Sequence, residues 1–515
     1  MPRPVDVAIV GYGPVGRLLA LKLGQRGYRV TVLEKRAAGY PLPRAAHFDD
    51  EIARILQSVG ASPDDMSEAV EPYNDKYEWR SPDGSLLLEL DWTGTGPSGW
   101  NVSNFFHQPE VEQFLDGRVG TLPGVQVLRG HTVVGHTDRG DVVDVQAESA
   151  DGEPITISAR YVVGADGANS IVREWIGTAV TDLGYFRDWL VVDLKPNARL
   201  VFTPPASQLC DPARPTTLVP GGPGRRRFEF MRLPSETSDE LGTTDAAWRL
   251  LAPWGVRPDN AEIERNIVYT FQARSCDRWR AGRLFIAGDA AHLMPPFAGQ
   301  GMCSGLRDVV NLEWKLDLVL RGLAGESILD SYGTERAEHV QHFIEESMGL
   351  GAVICMTDPE EAAQRDQVLK ADIEAGVQLP PRPLPRLGEW FYRHDDLSGT
   401  LAIQARVAGP SGEGRFDDIF GAGGVLLLDS AELKETLSED RQARLADLGF
   451  RIVTLGDQPD EQTAVDTTGA YGRWFGELNA HAVLIRPDYY LWGVGRSARD
   501  LSGLVDDLLA QLVAR

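Results

Sequence analysis

A chain of 515 residues, 43% hydrophobic and 24% charged, is too long for one ordinary core and predicts a globular protein of two or three domains. Its net charge of −24 argues against nucleic acid or an anionic membrane as partner, no apolar run reaches membrane-spanning length, and the N-terminus enters a strand at once with no signal peptide. Cys210, Cys276, Cys303 and Cys355 are far apart and form no CxxC, so neither a disulfide framework nor a zinc site is indicated, and a reduced cytoplasm is the expected compartment.

Val5–Val10 reads as an apolar strand, followed by a glycine loop and an amphipathic helix to about Gly27. Tyr28–Glu34 is a second strand, so the chain opens as a βαβ unit. Ile52–Val59 reads as a helix, Tyr77–Trp92 as two strands around a turn at Gly84, and Pro109–Gly117 as a helix again. Val125–Val145 is strand-rich, and Ala159–Val163 is a buried-type strand running into Gly164-Ala165-Asp166-Gly167-Ala168-Asn169. From Leu183 to Phe271 polar–apolar alternation (Trp189–Leu194, Arg226–Arg232, Ile267–Phe271) between Pro/Gly loops predicts an inserted antiparallel sheet. Leu284–Ala287 is a strand ending in Gly288-Asp289; a Pro/Gly loop follows, and Gly299-Gln300-Gly301-Met302 opens a helix through Leu320. Residues 376–388, with four prolines between Pro380 and Pro385, read as a linker in preference to an SH3-type ligand. Beyond them, Gly424–Leu428, Phe450–Leu455 and His481–Ile485 read as strands and Leu501–Val513 as an amphipathic helix of a third unit.

The chemistry concentrates in the turns. Gly11-Tyr-Gly13-Pro14-Val-Gly16 lies between strand and helix, where glycines permit a tight turn, approach of a pyrophosphate and close helix–strand packing. Glu34 closes the second strand 18 residues past Gly16, where a carboxylate can hold a ribose diol. Asp289 at its strand end suits a sugar hydroxyl, and the helix start at Gly299–Met302 suits an anionic group. An NAD site needs only the first βαβ and its neighbours. Two further strand–Gly/Asp turns, one on each side of an inserted sheet, suit the longer FAD.

These motifs resemble those of the group A FAD-dependent aromatic hydroxylases, the para-hydroxybenzoate hydroxylase fold family. GYGPVG resembles the first fingerprint, GADGANSIVR (164–173) the DG motif and GDAAHLMPPFAGQGM the GD motif, in order and spacing over roughly residues 4–345. YPLPRAAHFDDEIARILQSVG (40–60), DPARP (211–215), RRFEFM (226–231) and GQGMCSGLRD (299–308) look most like the 3-(3-hydroxyphenyl)propionate hydroxylase branch, which blurs into hydroxylases of secondary metabolites. The resemblance implies an α/β fold: a Rossmann-like FAD-binding domain (1–76, 101–182 and 272–375), an inserted antiparallel-sheet substrate domain (77–100 and 183–271) and a linker (376–400). A thioredoxin-like C-terminal domain (401–515) follows, in which AVLIRPDYYLWGVG (482–495) matches the late strands but no CxxC occurs.

The implied activity is hydroxylation of a phenol using FAD, NADH or NADPH, and O₂, through a flavin C4a-hydroperoxide. The phenol is 3-(3-hydroxyphenyl)propionate-like or a polycyclic aromatic; an oxidase, a dehydrogenase or a non-catalytic flavoprotein are readings of a different class. A homodimer is compatible with this reading. The WxWxIP signature of the related halogenases is absent. By resemblance Gly11, Gly13, Pro14 and Gly16 cradle the pyrophosphate, and Glu34 and Lys35 meet the adenosine end. Arg44 faces the pyrophosphate, Gln108 hydrogen-bonds the flavin side, Asp166 supports the cofactor region and Asp289 binds the ribityl chain. Gly299, Gln300, Gly301 and Met302 face the reduced ring, and Pro296 shapes the oxygen-reaction face. His47 is the candidate base for the phenol, or packs beside the flavin. Arg226, Arg227, Phe228, Phe230 and Tyr269 are candidates to meet a carboxylated aromatic, although only one parity of the Arg226–Met231 strand can face a pocket. His292 reads as structural, His339-x-x-His342 with Glu346 as a solvated helix face and Cys303 as a small packing residue.

Overall fold

The computed structural model describes residues 3–39, 42–197, 200–377, 384–393 and 395–513. Val5–Val10 pairs in parallel with Val30–Glu34 on one side and Pro154–Gly164 on the other. Val125–Arg129 and Leu284–Ile286 extend this arrangement at the two ends, also in parallel. Val7, Ala8, Ile9, Val32 and Leu33 are wholly buried, as in a sheet covered on both faces. The helix Pro14–Gln25 packs on it between Gln108–Val119 and Gly301–Leu320. Five strands far apart in the chain thus point the same way, and the segments after Val10, Glu34, Gly164 and Ile286 leave from one edge. In open α/β sheets this carboxyl edge is where ligands bind.

The inserted antiparallel sheet is present and larger than the alternation predicts. Its eight strands run in the order His292–Leu293, Ala261–Cys276, Val180–Pro196, Arg226–Met231, Thr216–Pro220, Ser207–Leu209, Lys76–Arg80 and Leu86–Asp91, with one parallel pair, Ser207–Leu209 beside Lys76–Arg80. The two long strands extend well past the segments 189–194 and 267–271, bending at register irregularities between Asp182 and Phe186 and between Asp193 and Leu194. Such irregularities interrupt the period-2 pattern, which hides the ends of both strands from sequence reading. Pairing places Leu190, Val192, Leu194, Phe228 and Phe230 on one face, sealed by Leu241, Ala247 and Leu251 of two short helices. The opposite face carries Trp189 and Met231, which pack with Phe297 and Trp79. His47–Asp49, Ser103–Phe106 and Val70–Tyr73 form a separate three-stranded sheet.

The C-terminal unit holds a seven-stranded sheet with Arg451–Leu455, Val425–Leu428 and Ala482–Ile485 at its centre. Arg406–Gly409 and Gly412–Arg415 escaped prediction because they are short, glycine-rich and charged. Of the proline-rich stretch, residues 378–383 lie outside the described residues. Within the expected linker Leu387, Phe391 and Tyr392 are buried, and the Phe391 N–H donates to Glu335. Among the described residues no helix is long and apolar enough to cross a membrane.

Packing of the C-terminal unit against the rest joins apolar residues such as Tyr489, Tyr490 and Trp492 to the main core and adds a buried charge cluster. Glu335 accepts from Lys315 Nζ at 2.7 Å and from Arg486 Nη2 at 2.6 Å, while Arg486 also pairs with Asp488 at 2.7 Å. Burial alone would raise the Glu335 pKa, but Arg486 and Lys315 outweigh it and hold it at about 2. Replacing one member of such a buried cluster leaves its partners uncompensated. Glu335→Ala is expected to cost roughly 3–5 kcal/mol in urea unfolding at neutral pH. Because the folded pKa lies below the ordinary 4.5, the wild-type contribution is complete above that value and is lost as pH falls through it towards about 2. The gap between wild type and variant should therefore narrow across that acid window.

Candidate active site

Gly11 has φ +97°, and a Cβ there would stand 2.3 Å from the Ala165 carbonyl oxygen; a Cβ on Gly16 would stand 2.2 Å from that of Gly11. Neither position admits a side chain. Gly13 differs, since the nearest atom to its would-be Cβ is Arg44 Nη2 at 3.9 Å, leaving open space beneath an exposed guanidinium. The helix Pro14–Gln25 begins there with no side-chain cap, so its first N–H groups face that opening. Beside the loop the Glu34 carboxylate accepts the Tyr12 N–H at 2.9 Å and the Arg36 N–H at 2.9 Å, which fixes its direction. Lys35 is exposed next to it.

The loop carrying Arg44 is held by Gln108. Its Oε1 accepts from the N–H groups of Arg44 at 2.7 Å and Ala45 at 2.8 Å, and its Nε2 donates to Glu112 at 2.6 Å. The Gln108 carbonyl is thus engaged with the loop. Asp166 is also engaged locally, with Oδ2 accepting the Ile171 N–H at 2.8 Å. Its other oxygen is buried without a hydrogen bond, and burial raises its pKa.

At the Gly288-Asp289 turn, Gly288 has φ +61°, and a Cβ would lie 2.9 Å from Val15 Cγ2 on the first helix. The Gly288 N–H donates to Asp308 at 2.9 Å, and Asp308 also pairs with His292 at 2.8 Å and Arg336 at 2.9 Å. His292 is therefore a strut of this turn. Asp289 itself is exposed, with no hydrogen bond from its carboxylate among those described. His339, expected on a solvated helix face, is instead buried, with Nδ1 facing Arg336 at 2.8 Å and Nε2 facing Tyr490 at 2.9 Å.

Gly299 has φ +66°, and a Cβ there would fall 2.5 Å from His47 Nδ1. The His47 ring is stacked on Trp92 at 4.7 Å with Phe105 edge-on at 5.5 Å. The side chain of Gln300 turns inward, donating to Asp49 at 3.0 Å and accepting from Arg307 at 2.9 Å. It is a support, and only its backbone can face a ligand. The helix Gly301–Leu320 begins without a side-chain cap, leaving its first N–H groups available to an electron-rich group. Pro14, Gln108 and Met302 line one narrow slot, so the two helix starts converge. Cys303 is buried, its thiol 3.4 Å from the Gly299 carbonyl. Pro296 is half-buried, and Phe297 after it packs edge-on against Trp189 at 5.6 Å.

The sheet face opposite His47 is only partly the one expected. Phe228 and Phe230 are corrected: they are buried among Leu241 and Leu251 on the far face and cannot meet a ligand here. Arg226 shares their parity, donating to the Arg225 carbonyl at 2.8 Å and lying 4.0 Å from Glu71. Arg227, Glu229 and Met231 face the site, as does Tyr269, which pairs with Trp189. Trp92, Tyr77, Trp189 and Glu229 were not singled out from sequence. The alternation of RRFEFM offers both parities equally, and only the helices covering Phe228 decide between them.

Residues 4–347 match the family described as FAD binding domain, and residues 399–511 the family described as HcaD C-terminal domain. The chain is 38% identical to the probable NADH-specific resorcinol 4-hydroxylase of Rhodococcus jostii (strain RHA1), covering 99% of this chain and 95% of the relative. It is 35% identical to the 3-(3-hydroxy-phenyl)propionate/3-hydroxycinnamic acid hydroxylase of Mycolicibacterium gilvum (strain PYR-GCK), covering 94% and 88%. Its fold matches aklavinone-11 hydroxylase, solved with FAD and aklavinone, with a TM-score of 0.80 at 23% identity over 100% of both chains.

The contact between Gly299 and His47 yields a local prediction. Gly299→Ala must both hold a positive φ and displace the imidazole from Trp92, and is expected to cost about 1–3 kcal/mol in denaturant unfolding. A loss below about 0.5 kcal/mol would show that the loop moves freely.

Proposed function

The chain belongs to the family of FAD-binding aromatic hydroxylases, and on that premise we propose how its residues serve a flavin-dependent monooxygenase acting on a phenolic ring. Bound FAD supplies the redox chemistry, taking a hydride from a reduced nicotinamide and using O₂ to deliver one oxygen atom to the ring. We carry the NADH preference in the name of the Rhodococcus relative over to this chain.

The open space at Gly13 supports this reading best, because it lies under a guanidinium and before uncapped helix N–H groups, as a pyrophosphate requires. Gly11, Gly13, Pro14 and Gly16 form that cradle and Arg44 neutralises it. Glu34, oriented by two backbone donors, accepts from the ribose, with Lys35 at the adenosine end. Asp289, exposed beside the first helix, accepts from the ribityl hydroxyls. Asp166 and Gln108 hold the turn and the loop that flank the cofactor. Gly299, Gln300, Gly301 and Met302 bring backbone N–H groups to the electron-rich edge of the ring system. His47 lies where these groups meet the aromatic wall. It is proposed to accept the proton of the phenol, a role commonly worth about 10²–10⁴-fold. Pro296, with Trp92, Trp189 and Phe297 behind it, keeps water from the reacting face, and Tyr269 borders the substrate.

Purified holoenzyme should consume one NADH and one O₂ per molecule of product that gains one oxygen, when offered a panel of phenols. Peroxide without an oxygenated product would instead identify an oxidase. Asp289→Ala should weaken FAD binding at least about tenfold, read as flavin retained per chain after gel filtration.

A further inference from the structure

We propose that Asp50 is a proton-operated latch on residues 93–101, the strap that joins the aromatic wall of the site to the C-terminal unit. As a neutral acid it holds the strap down; as a carboxylate it releases the strap and weakens substrate binding at Trp92. Only this last step rests on the reading that the wall receives the phenol.

The geometry of the strap carries the inference. It follows directly on Trp92, whose ring is stacked on His47 at 4.7 Å and on Tyr77 at 4.6 Å. The backbone then lies against the Asp50 carboxyl group. The Ser98 N–H donates to Asp50 Oδ2 at 2.7 Å, and a Cβ on Gly96 would fall 2.4 Å from the carboxyl carbon. From the other side the Gln404 N–H donates to the Pro97 carbonyl at 2.8 Å, Gln404 Nε2 to that of Ser98 at 2.7 Å and Arg415 Nε to that of Gly99 at 2.8 Å. The strap is thus clamped between one carboxyl group and the C-terminal unit.

Within this clamp Asp50 has no counter-charge. It is 7% exposed, and among the described residues its carboxylate accepts from Ser98 alone and forms no ion pair. The charged groups around it are engaged elsewhere. On either side in the chain Asp49 and Glu51 pair with Arg307 of the Gly301–Leu320 helix, and one turn on Arg54 pairs with Asp417 of the C-terminal unit at 2.7 Å. Arg415 lies over the Trp100 ring at 3.3 Å, and the strap itself contains no ionisable residue. Ionised, Asp50 becomes a third carboxylate beside two that share one cation, away from water. Burial, followed by Asp49, accordingly holds its pKa up to about 7, against the Ser98 N–H, which favours the charged form. With the strap lifted, Asp50 meets water and ionises near the ordinary 3.8. Between these two values the closed strap holds a proton that the lifted one does not. The closed state therefore loses stability as pH rises through this window and levels off above about 7.

Hydrogen exchange in holoenzyme peptides covering residues 93–101 tests the latch, with Asp50→Asn measured at each pH so that the intrinsic pH dependence of exchange cancels. Wild-type exchange relative to Asp50→Asn should speed up at least about tenfold between about pH 5 and about pH 8, flattening above about 7. Asp50→Ala, which removes the Ser98 acceptor, should exchange faster than Asp50→Asn by a factor that does not change with pH. It serves as the pH-insensitive reference if Asp50→Asn does not retain FAD. KM for a phenol, taken against the same reference, should rise at least about twofold over that range. An exchange ratio constant to within about twofold overturns the latch. A rising exchange ratio with a flat KM ratio overturns its link to substrate binding, and a chain that oxygenates no phenol overturns the functional reading instead.

Discussion

Arg307 is a guanidinium with 1% of its side chain exposed, and a charge so placed has to be neutralised from every side. Its Nε donates to Glu51 at 2.6 Å, Nη2 to Asp49 at 2.6 Å and Nη1 to Gln300 at 2.9 Å. These partners come from the strand that begins at His47, from the helix that follows it and from the residue before the Gly301 helix. One buried cation therefore fixes how the segment bearing His47 sits against the loop bearing Gly299. The close approach of His47 Nδ1 to Gly299 follows from that clamp, and with it the need for glycine. The polar groups of Gln300 are consumed by the same clamp, which is why its role is support.

The clamp reaches the C-terminal unit. Tyr490 donates to Glu51 at 3.0 Å and meets His339 at 2.9 Å, while Arg486 and Asp488 close the second buried cluster around Glu335. Both clusters involve the helices Gly301–Leu320 and Asp330–Ile354, which also carry Asp308 and Arg336, the struts of the Gly288 turn. The C-terminal unit thus supplies counter-charges to helices that shape the site from behind. Without CxxC it has no dithiol chemistry to offer, and its contribution is electrostatic and mechanical.

Legibility in the sequence tracked how local each constraint is. The glycine loop, Glu34, the Gly288-Asp289 turn and the Gly301 helix were readable because tight turns and helix starts impose their requirements within a few residues. The parallel sheet was readable from short buried apolar runs bounded by glycine. Phe228 and Phe230 were misassigned because a strand presents two faces and its own alternation does not say which is covered. The loop-holding role of Gln108 is hidden for a similar reason: a helix-start amide suits a ligand as well as a neighbouring loop, and its partners, the N–H groups of Arg44 and Ala45, lie 64 and 63 residues away. The helix Asp330–Ile354 left no clear stripe of apolar residues, since Glu335, Arg336 and His339 point inward and are paired by residues up to 151 positions distant.

That long-range pairing also explains how polar residues on the inserted sheet divide between structure and ligand. A buried arginine is expensive to leave alone, so Asp193 serves two of them and the backbone of the Arg44 loop serves one. Through Arg227 the sheet grips the same loop that Gln108 holds from the other side, so the wall of the substrate space and the mouth of the cofactor cradle share one support. Once those bonds are counted, most of the charge on this face is internal to the protein. What remains to recognise a ring is aromatic surface from Trp92, Trp189 and Phe297 and the few polar atoms without an internal partner. Those atoms include Nε of Arg265, which is buried on this face without a hydrogen bond.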